Sequence, residues 1–263
     1  MGAAEAALIF TAGVVAGTIN TVVGSGTLVT FPTLLFFGYA PVMANVSNTI
    51  GLVAGGLTGS WGYRHELRGA RATLLRWAPM SFLGGIVGAI LLLVLDPAAF
   101  KAIVPVLIGL GVLLVAFGPR LTAWTTARRG ESTTGRALGE HSRRRAALLA
   151  FCVFAGAIYG GYFGAAQGVI LMGVLTTLTS ESLQSLNGIK NVLATIVNSV
   201  AALTFIIVAP EEVHWGVAGL IAAGSLLGGV LGARVGRRLP PQVLRAVIIV
   251  IGVVAIVRML WFS

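Results

Sequence analysis

Charge is what this chain most lacks. Of its 263 residues only 10% are Asp, Glu, Lys or Arg, where a soluble domain carries about a quarter. Hydrophobic residues make up 57%, and the mean hydropathy is +0.95. So little polar surface cannot cover a globule. Lysine occurs only at Lys101 and Lys190. A single cysteine, Cys152, sits in an apolar run, which excludes an internal disulfide and a cysteine-cluster metal site. His65, His141 and His214 fall between apolar runs with no metal-ligand spacing. Ser25, in "GSG", therefore has no histidine at membrane depth to activate it as a nucleophile. No phosphate-loop pattern is present. The N-terminus "MGAAEAALIF" opens with Glu5 instead of a basic region, against a cleaved signal peptide. No enzymatic activity, cofactor or metal is expected.

What the chain has in abundance is long apolar runs, each near the roughly 20 residues that span a bilayer as a helix. Eight blocks stand out, at 6–38, 41–63, 74–95, 99–118, 146–179, 183–209, 213–235 and 241–262. The net charge of +10 is gathered between them, in "YRHELRGARATLLR" (Tyr63–Arg76), in Pro119–Arg145 and in "ARVGRRLPP" (Ala233–Pro241). Basic clusters without interleaved aromatics mark cytoplasmic loops, not a nucleic-acid surface. Trp61, Trp77, Trp124, Trp215 and Trp261, all near block ends, read as interfacial belt residues. The expectation is an all-α polytopic protein of the bacterial inner membrane. It has a first transmembrane repeat at 1–118, a basic, flexible cytoplasmic linker at 119–145 and a second repeat at 146–263.

The two halves are alike. "SFLGGIVGA" (Ser81–Ala89) aligns without gaps on "SLLGGVLGA" (Ser225–Ala233), and Pro97, Lys101 and Ala102 fall on Pro241, Arg245 and Ala246. Asn45 can be laid on Asn187 and Gly26 on Gly168, which brings Lys190 to the place of Asn48. The first and fifth blocks are too long for one crossing and are interrupted by glycine and polar residues. If each is a hairpin of broken helices, each half crosses an odd number of times and the second is inverted. Inversion puts all three basic segments on one side, with Asp96 and "APEEVH" (Ala209–His214) on the other, although Lys101 and Arg258 fit less neatly. Glycines spaced by four, at 156–168, 84/88 and 228–236, suit close helix contacts.

The interrupted blocks are the candidate site. Asn20, Gly24, Ser25 and Gly26 break the first, and Ser47, Asn48 and Thr49 in "ANVSNTIG" are too polar for lipid. Gln167 in "GAAQG" and Asn187, Lys190 and Asn191 in "SLNGIKNVL" repeat the pattern. Unwound backbone at membrane depth survives only inside protein or against a wet cavity, and paired broken helices point to a transport site. The donors on offer are half-helix N-termini, amides, hydroxyls and one ammonium, with no carboxylate in these segments. The balance favours a small anion, with Lys190 as anchor. Its competing role is snorkelling to the headgroups.

The order and spacing of "GSGTLVTFPTLLFFG", "ANVSNT", "GGYFGAAQGVILM", "LNGIKNVLATIVNSVAALTF" and "GSLLGGVLGARVGRRLPPQVLRAVI" resemble the TauE/SafE family of sulfite and organosulfur anion exporters. The resemblance covers nearly the whole chain except the central linker. It implies a permease for sulfite, sulfonates or sulfo-carboxylates, with protons as a candidate coupling ion. Gln167 stands where the family usually has glycine, which bears on substrate identity more than on fold. Two other readings stay open: a membrane subunit passing sulfur intermediates to a partner enzyme docked on the basic linker, and an anion channel. Membrane lipid is an implied partner, and homo-oligomerisation is undecided.

Overall fold

The computed structural model describes residues 1–130, 140–179, 182–235 and 241–261. Every regular element among them is helical. The helices are α1 (Ala3–Val22), α2 (Thr27–Phe36), α3 (Pro41–Gly62), α4 (Arg71–Val94), α5 (Pro97–Gly130), α6 (Glu140–Tyr162), α7 (Gln167–Leu178), α8 (Leu183–Val208), α9 (Trp215–Val235) and α10 (Pro241–Trp261). Five of them, α1, α4, α5, α8 and α9, are long and apolar enough to cross a bilayer. Side chains such as Ile207, 75% exposed, face outward as lipid-facing residues do. The protein is an integral membrane protein with several crossings.

The two long blocks are broken where glycine allows it. At the end of α1 the Val23 and Gly24 N–H groups both donate to the Ile19 carbonyl, at 2.7 and 3.1 Å, and Gly24 turns the chain back at φ +88°. At the end of α6 the Phe163 and Gly164 N–H groups donate to the Tyr159 carbonyl at 2.9 and 3.1 Å, and Gly164 has φ +75°. The same hydrogen-bonded turn therefore occurs twice, 140 residues apart. This corrects the register expected at the breaks, where Gly26 was laid on Gly168. The two turns are spaced by 140 residues, shorter than the 142 between Asn45 and Asn187. Gly156, Gly160, Gly164 and Gly168 accordingly do not line one helix face.

The α1–α2 hairpin returns to the side it started from, since the Tyr39 hydroxyl, beyond α2, donates to Glu5 at the start of α1 at 2.8 Å. The His214 N–H donates to Ser47 near the start of α3 at 2.9 Å, so the α8–α9 turn lies at this acidic end. At the opposite, basic end Leu67 and Tyr63 lie against Gly188, early in α8. Helices α3 and α8 thus run in opposite senses.

Packing crosses between the halves. Helix α1 lies against α9, and α6 against α4. A Cβ on Gly228 would stand 2.1 Å from the Val14 carbonyl oxygen, and one on Gly84 would stand 2.6 Å from that of Phe154. Lipid offers no hydrophobic drive to join helices, so backbone approach over small residues supplies the contact. The Ser225 hydroxyl, fully buried on α9, donates to the Gly51 carbonyl at 2.8 Å and accepts from the Gly55 N–H at 3.0 Å of α3.

Two sequence expectations change. Trp77 is buried at 6% exposure within a cluster with Leu149, Leu171 and Leu193, so it is a core residue and not part of an aromatic belt, whereas Trp61 and Trp215 are exposed. The central linker is helical at both ends, α5 continuing to Gly130 and α6 starting at Glu140. Alanine, leucine and arginine keep a helix going past the apolar run. Residues 131–139, Arg237 and Arg238 lie outside the described residues.

Candidate functional site

The two breaks meet. The Gly168 N–H, in the first turn of α7, donates to the Gly24 carbonyl at 3.0 Å. A Cβ on either glycine would lie 2.4 Å from the other's Cα. The breaks lie inside the bundle: Thr21, in the last turn of α1, packs against Gly232 on α9, and Tyr162, at the end of α6, against Gly88 on α4. The N-termini of α2 and α7 therefore lie inside the bundle, each carrying the partial positive charge of its helix dipole.

Polar side chains surround the junction. Lys190 is wholly buried, its Nζ donating to the Thr21 carbonyl in the last turn of α1 at 3.3 Å. It does not snorkel. No carboxylate among the described residues pairs with it. Asn191 Nδ2 donates to the same Thr21 carbonyl at 3.1 Å. Across the junction, Asn45 Nδ2 donates to the Tyr162 carbonyl at the end of α6 at 2.9 Å. Each spanning helix that ends at a break is thus met by amide donors from a helix of the other half.

Three buried side-chain atoms at this place have no hydrogen-bond partner: Ser25 Oγ, Gln167 Nε2 and Asn45 Oδ1. Ser25 adjoins Gly24, and Gln167 adjoins Gly168, so the first two flank the glycine contact. The Gln167 amide packs over Gly160, where a Cβ would come within 2.3 Å of it. Leaving a buried donor unmade costs about 1–3 kcal/mol. Clustered at a helix junction, these groups make it the candidate site.

Other expected site residues are occupied. Asn20 Oδ1 accepts from the Gly26 N–H at 3.4 Å, closing the α1–α2 turn. The Asn48 amide accepts from the Thr30 hydroxyl and donates to that of Thr27 at 3.3 Å, both on α2. Ser47 caps the acidic-end turn, as described, and the Thr49 hydroxyl bonds to its own helix at Asn45. Asn187, expected beside Lys190, is half-buried with no hydrogen bond to it. Thr27, Thr30 and Thr195 are missed by the sequence reading, and Thr21 and Asn45 enter it only as polar interruptions of apolar blocks, not as site residues. The hydroxyls of Thr195 on α8 and Ser60 on α3 lie 3.2 Å apart. The only signal for them was the recurrence of small polar residues next to the breaks.

A bundle of apolar helices with two half-helices meeting around buried polar groups defines a membrane permease. Residues 9–259 match the model of the family described as Sulfite exporter TauE/SafE, and the chain belongs to that family. It is 27% identical to a "Probable membrane transporter protein" of Haemophilus influenzae over 262 residues, covering 97% of this chain and 94% of the relative. It is 26% identical to the "Probable membrane transporter protein YfcA" of Escherichia coli (strain K12), with 97% and 90% covered. These are transporters, not enzymes. No solved structure matches the chain.

Proposed function

We propose that the protein is a secondary carrier of small anions, sulfur oxyanions and sulfonates first among them, and that its two halves form an inverted repeat. The observation that carries the anion reading is Lys190, a fully buried lysine without a carboxylate partner among the described residues. A charge this deep costs about 3 kcal/mol or more and usually marks function. Around it the unpartnered Ser25 and Gln167 donors and the N-termini of α2 and α7 suit an anion. The cargo site is then Lys190, Asn191, Gln167 and Ser25, with Gly24 and Gly26 shaping the turn. Asn20, Ser47, Asn48 and Thr49 hold the surrounding helices. Asn187 lies beside the site. Protons are the coupling ion this reading favours.

A thermal-shift screen of the purified protein against sulfite, thiosulfate, sulfate, small sulfonates and carboxylates tests this. An anion at a hundred times its dissociation constant stabilises by about 2.7 kcal/mol. Lys190→Met, which keeps the apolar stem, should abolish that shift and anion flux into proteoliposomes. Stabilisation by cationic solutes and by no anion would overturn the reading.

A further inference from the structure

A half-helix that ends inside a membrane leaves carbonyls at its C-terminus, equivalent to about half a negative charge. In carriers built from discontinuous helices such ends coordinate sodium ions or protons. Here the end of α1 is met by protein. The Thr21 carbonyl accepts from Lys190 Nζ at 3.3 Å and from Asn191 Nδ2 at 3.1 Å. One helix turn further along α8, the Thr195 hydroxyl donates to the Asn191 carbonyl at 2.7 Å and lies 3.2 Å from that of Ser60. Carbonyl and hydroxyl oxygens are hard ligands, suited to small alkali cations.

The other break shows that a hydrogen bond alone does not call for an ammonium. There the Tyr162 carbonyl is satisfied by the neutral Asn45 amide at 2.9 Å. At α1 an equivalent neutral donor, Asn191, is already in place, and Lys190 brings a basic amine to the same oxygen.

We propose that Lys190 is a tethered counter-cation standing where a coupling sodium ion would bind, so that the carrier runs without sodium. Truncating the side chain uncovers a sodium- or lithium-binding site at Thr21 and Asn191. Calling that ion a coupling ion rests on the permease reading; the site itself does not depend on the cargo.

The test needs no cargo. Wild type, Lys190→Ala and Lys190→Met are melted in sodium, lithium, potassium and N-methylglucamine chlorides at constant ionic strength. Lys190→Ala leaves room for an ion, and its midpoint should rise saturably in sodium or lithium, by about 3 °C at ten times the dissociation constant. Wild type, and Lys190→Met with the space filled, should melt alike in all four salts. A Lys190→Ala protein recovered from membranes only in sodium or lithium also supports the proposal. A Lys190→Ala midpoint indifferent to the cation overturns it, as does failure to recover this variant in every salt while Lys190→Met folds. A saturable sodium shift in wild type overturns it too. If no anion binds wild type in the screen above, the anion reading fails while this result stands on its own.

Discussion

Substituting Gly168 by alanine tests whether the two helix breaks must touch. The added Cβ would lie 2.4 Å from Gly24 Cα and 3.0 Å from the Gly24 carbonyl oxygen, where carbon atoms settle at about 3.5–4.0 Å. Both colliding groups are backbone, so no rotamer relieves them; the breaks must part by about 1 Å. Overpacking of this kind costs about 1–3 kcal/mol, and the Gly168–Gly24 hydrogen bond adds about 1 kcal/mol when stretched. Alanine in a helix returns about 0.5–1 kcal/mol, leaving a net loss of about 1–3 kcal/mol. Gly173→Ala, on the same helix with nothing within 4 Å of its new Cβ, receives the gain without the clash. The two variants should therefore differ by about 2–4 kcal/mol in unfolding free energy. Melting in detergent with flux in proteoliposomes measures this. Flux should collapse in Gly168→Ala, because Ser25 and Gln167 are carried apart, and persist in Gly173→Ala. If Gly168→Ala melts at or above Gly173→Ala and transports normally, the junction is not the tight contact argued here.

Other perturbations have outcomes of definite sign. Gln167→Leu removes a buried donor that has no partner, so it should stabilise the empty protein by about 1 kcal/mol or more while weakening anion binding; a loss of stability with unchanged binding would make Gln167 purely structural. Ser225→Ala removes both hydroxyl bonds to α3 and should cost about 1–3 kcal/mol, read as a lower melting midpoint. At the acidic end, desolvation and donation to Glu5 push the Tyr39 phenol up from its ordinary 10 to about 12. Raised on folding, this group contributes stability that is complete below pH 10 and fades as the pH climbs through 12. The difference in midpoint between wild type and Tyr39→Phe should be flat at neutral pH and shrink in that alkaline window. It should shrink again in acid, where Glu5, which accepts the same hydrogen bond, takes up its proton.

Helix count and the breaks were legible because their causes are local. An apolar run reports a membrane helix by length, and Gly24 and Gly164 report a break because few other residues adopt positive φ. Lys190 was legible for a similar reason: a lone cation in an apolar run is costly wherever it points. Its partner was not, because the Thr21 carbonyl is backbone, 169 residues away in sequence, and no side-chain pattern announces an acceptor every residue possesses. Asn187 and Asn191 looked equivalent around Lys190; helix geometry separates them, turning Asn191 toward α1. Trp77 sat at a block end, where tryptophan generally marks the interface, yet α4 is covered there by α6 and α8. Sequence cannot say which helix will cover which.

The exchange of helices between halves bears on how such a carrier could move. Rocking one half of the chain against the other would have to slide α1 over α9 and α4 over α6, the contacts where glycines bring backbones closest. Packing instead divides the helices into α1, α3 and α9 on one side and α4, α6 and α8 on the other, facing each other mainly through α3 and α8. Lys190, Asn191, Asn45 and the Gly24–Gly168 contact all cross that second boundary. Two cysteine pairs, in a Cys152→Ser background, separate the alternatives. A Cβ on Gly232 would lie 2.9 Å from Thr21 Cβ, joining different halves within one packed unit. A Cβ on Gly56 would lie 3.3 Å from Thr195 Cβ, joining different halves across the unit boundary. Both separations are within reach of the roughly 3.5–4.5 Å of a disulfide after a small shift. Rigid halves predict that either cross-link stops transport. Exchanged units predict that Gly56→Cys with Thr195→Cys stops it until reduced, while Gly232→Cys with Thr21→Cys lets it continue; arrest by both would return the motion to the sequence halves.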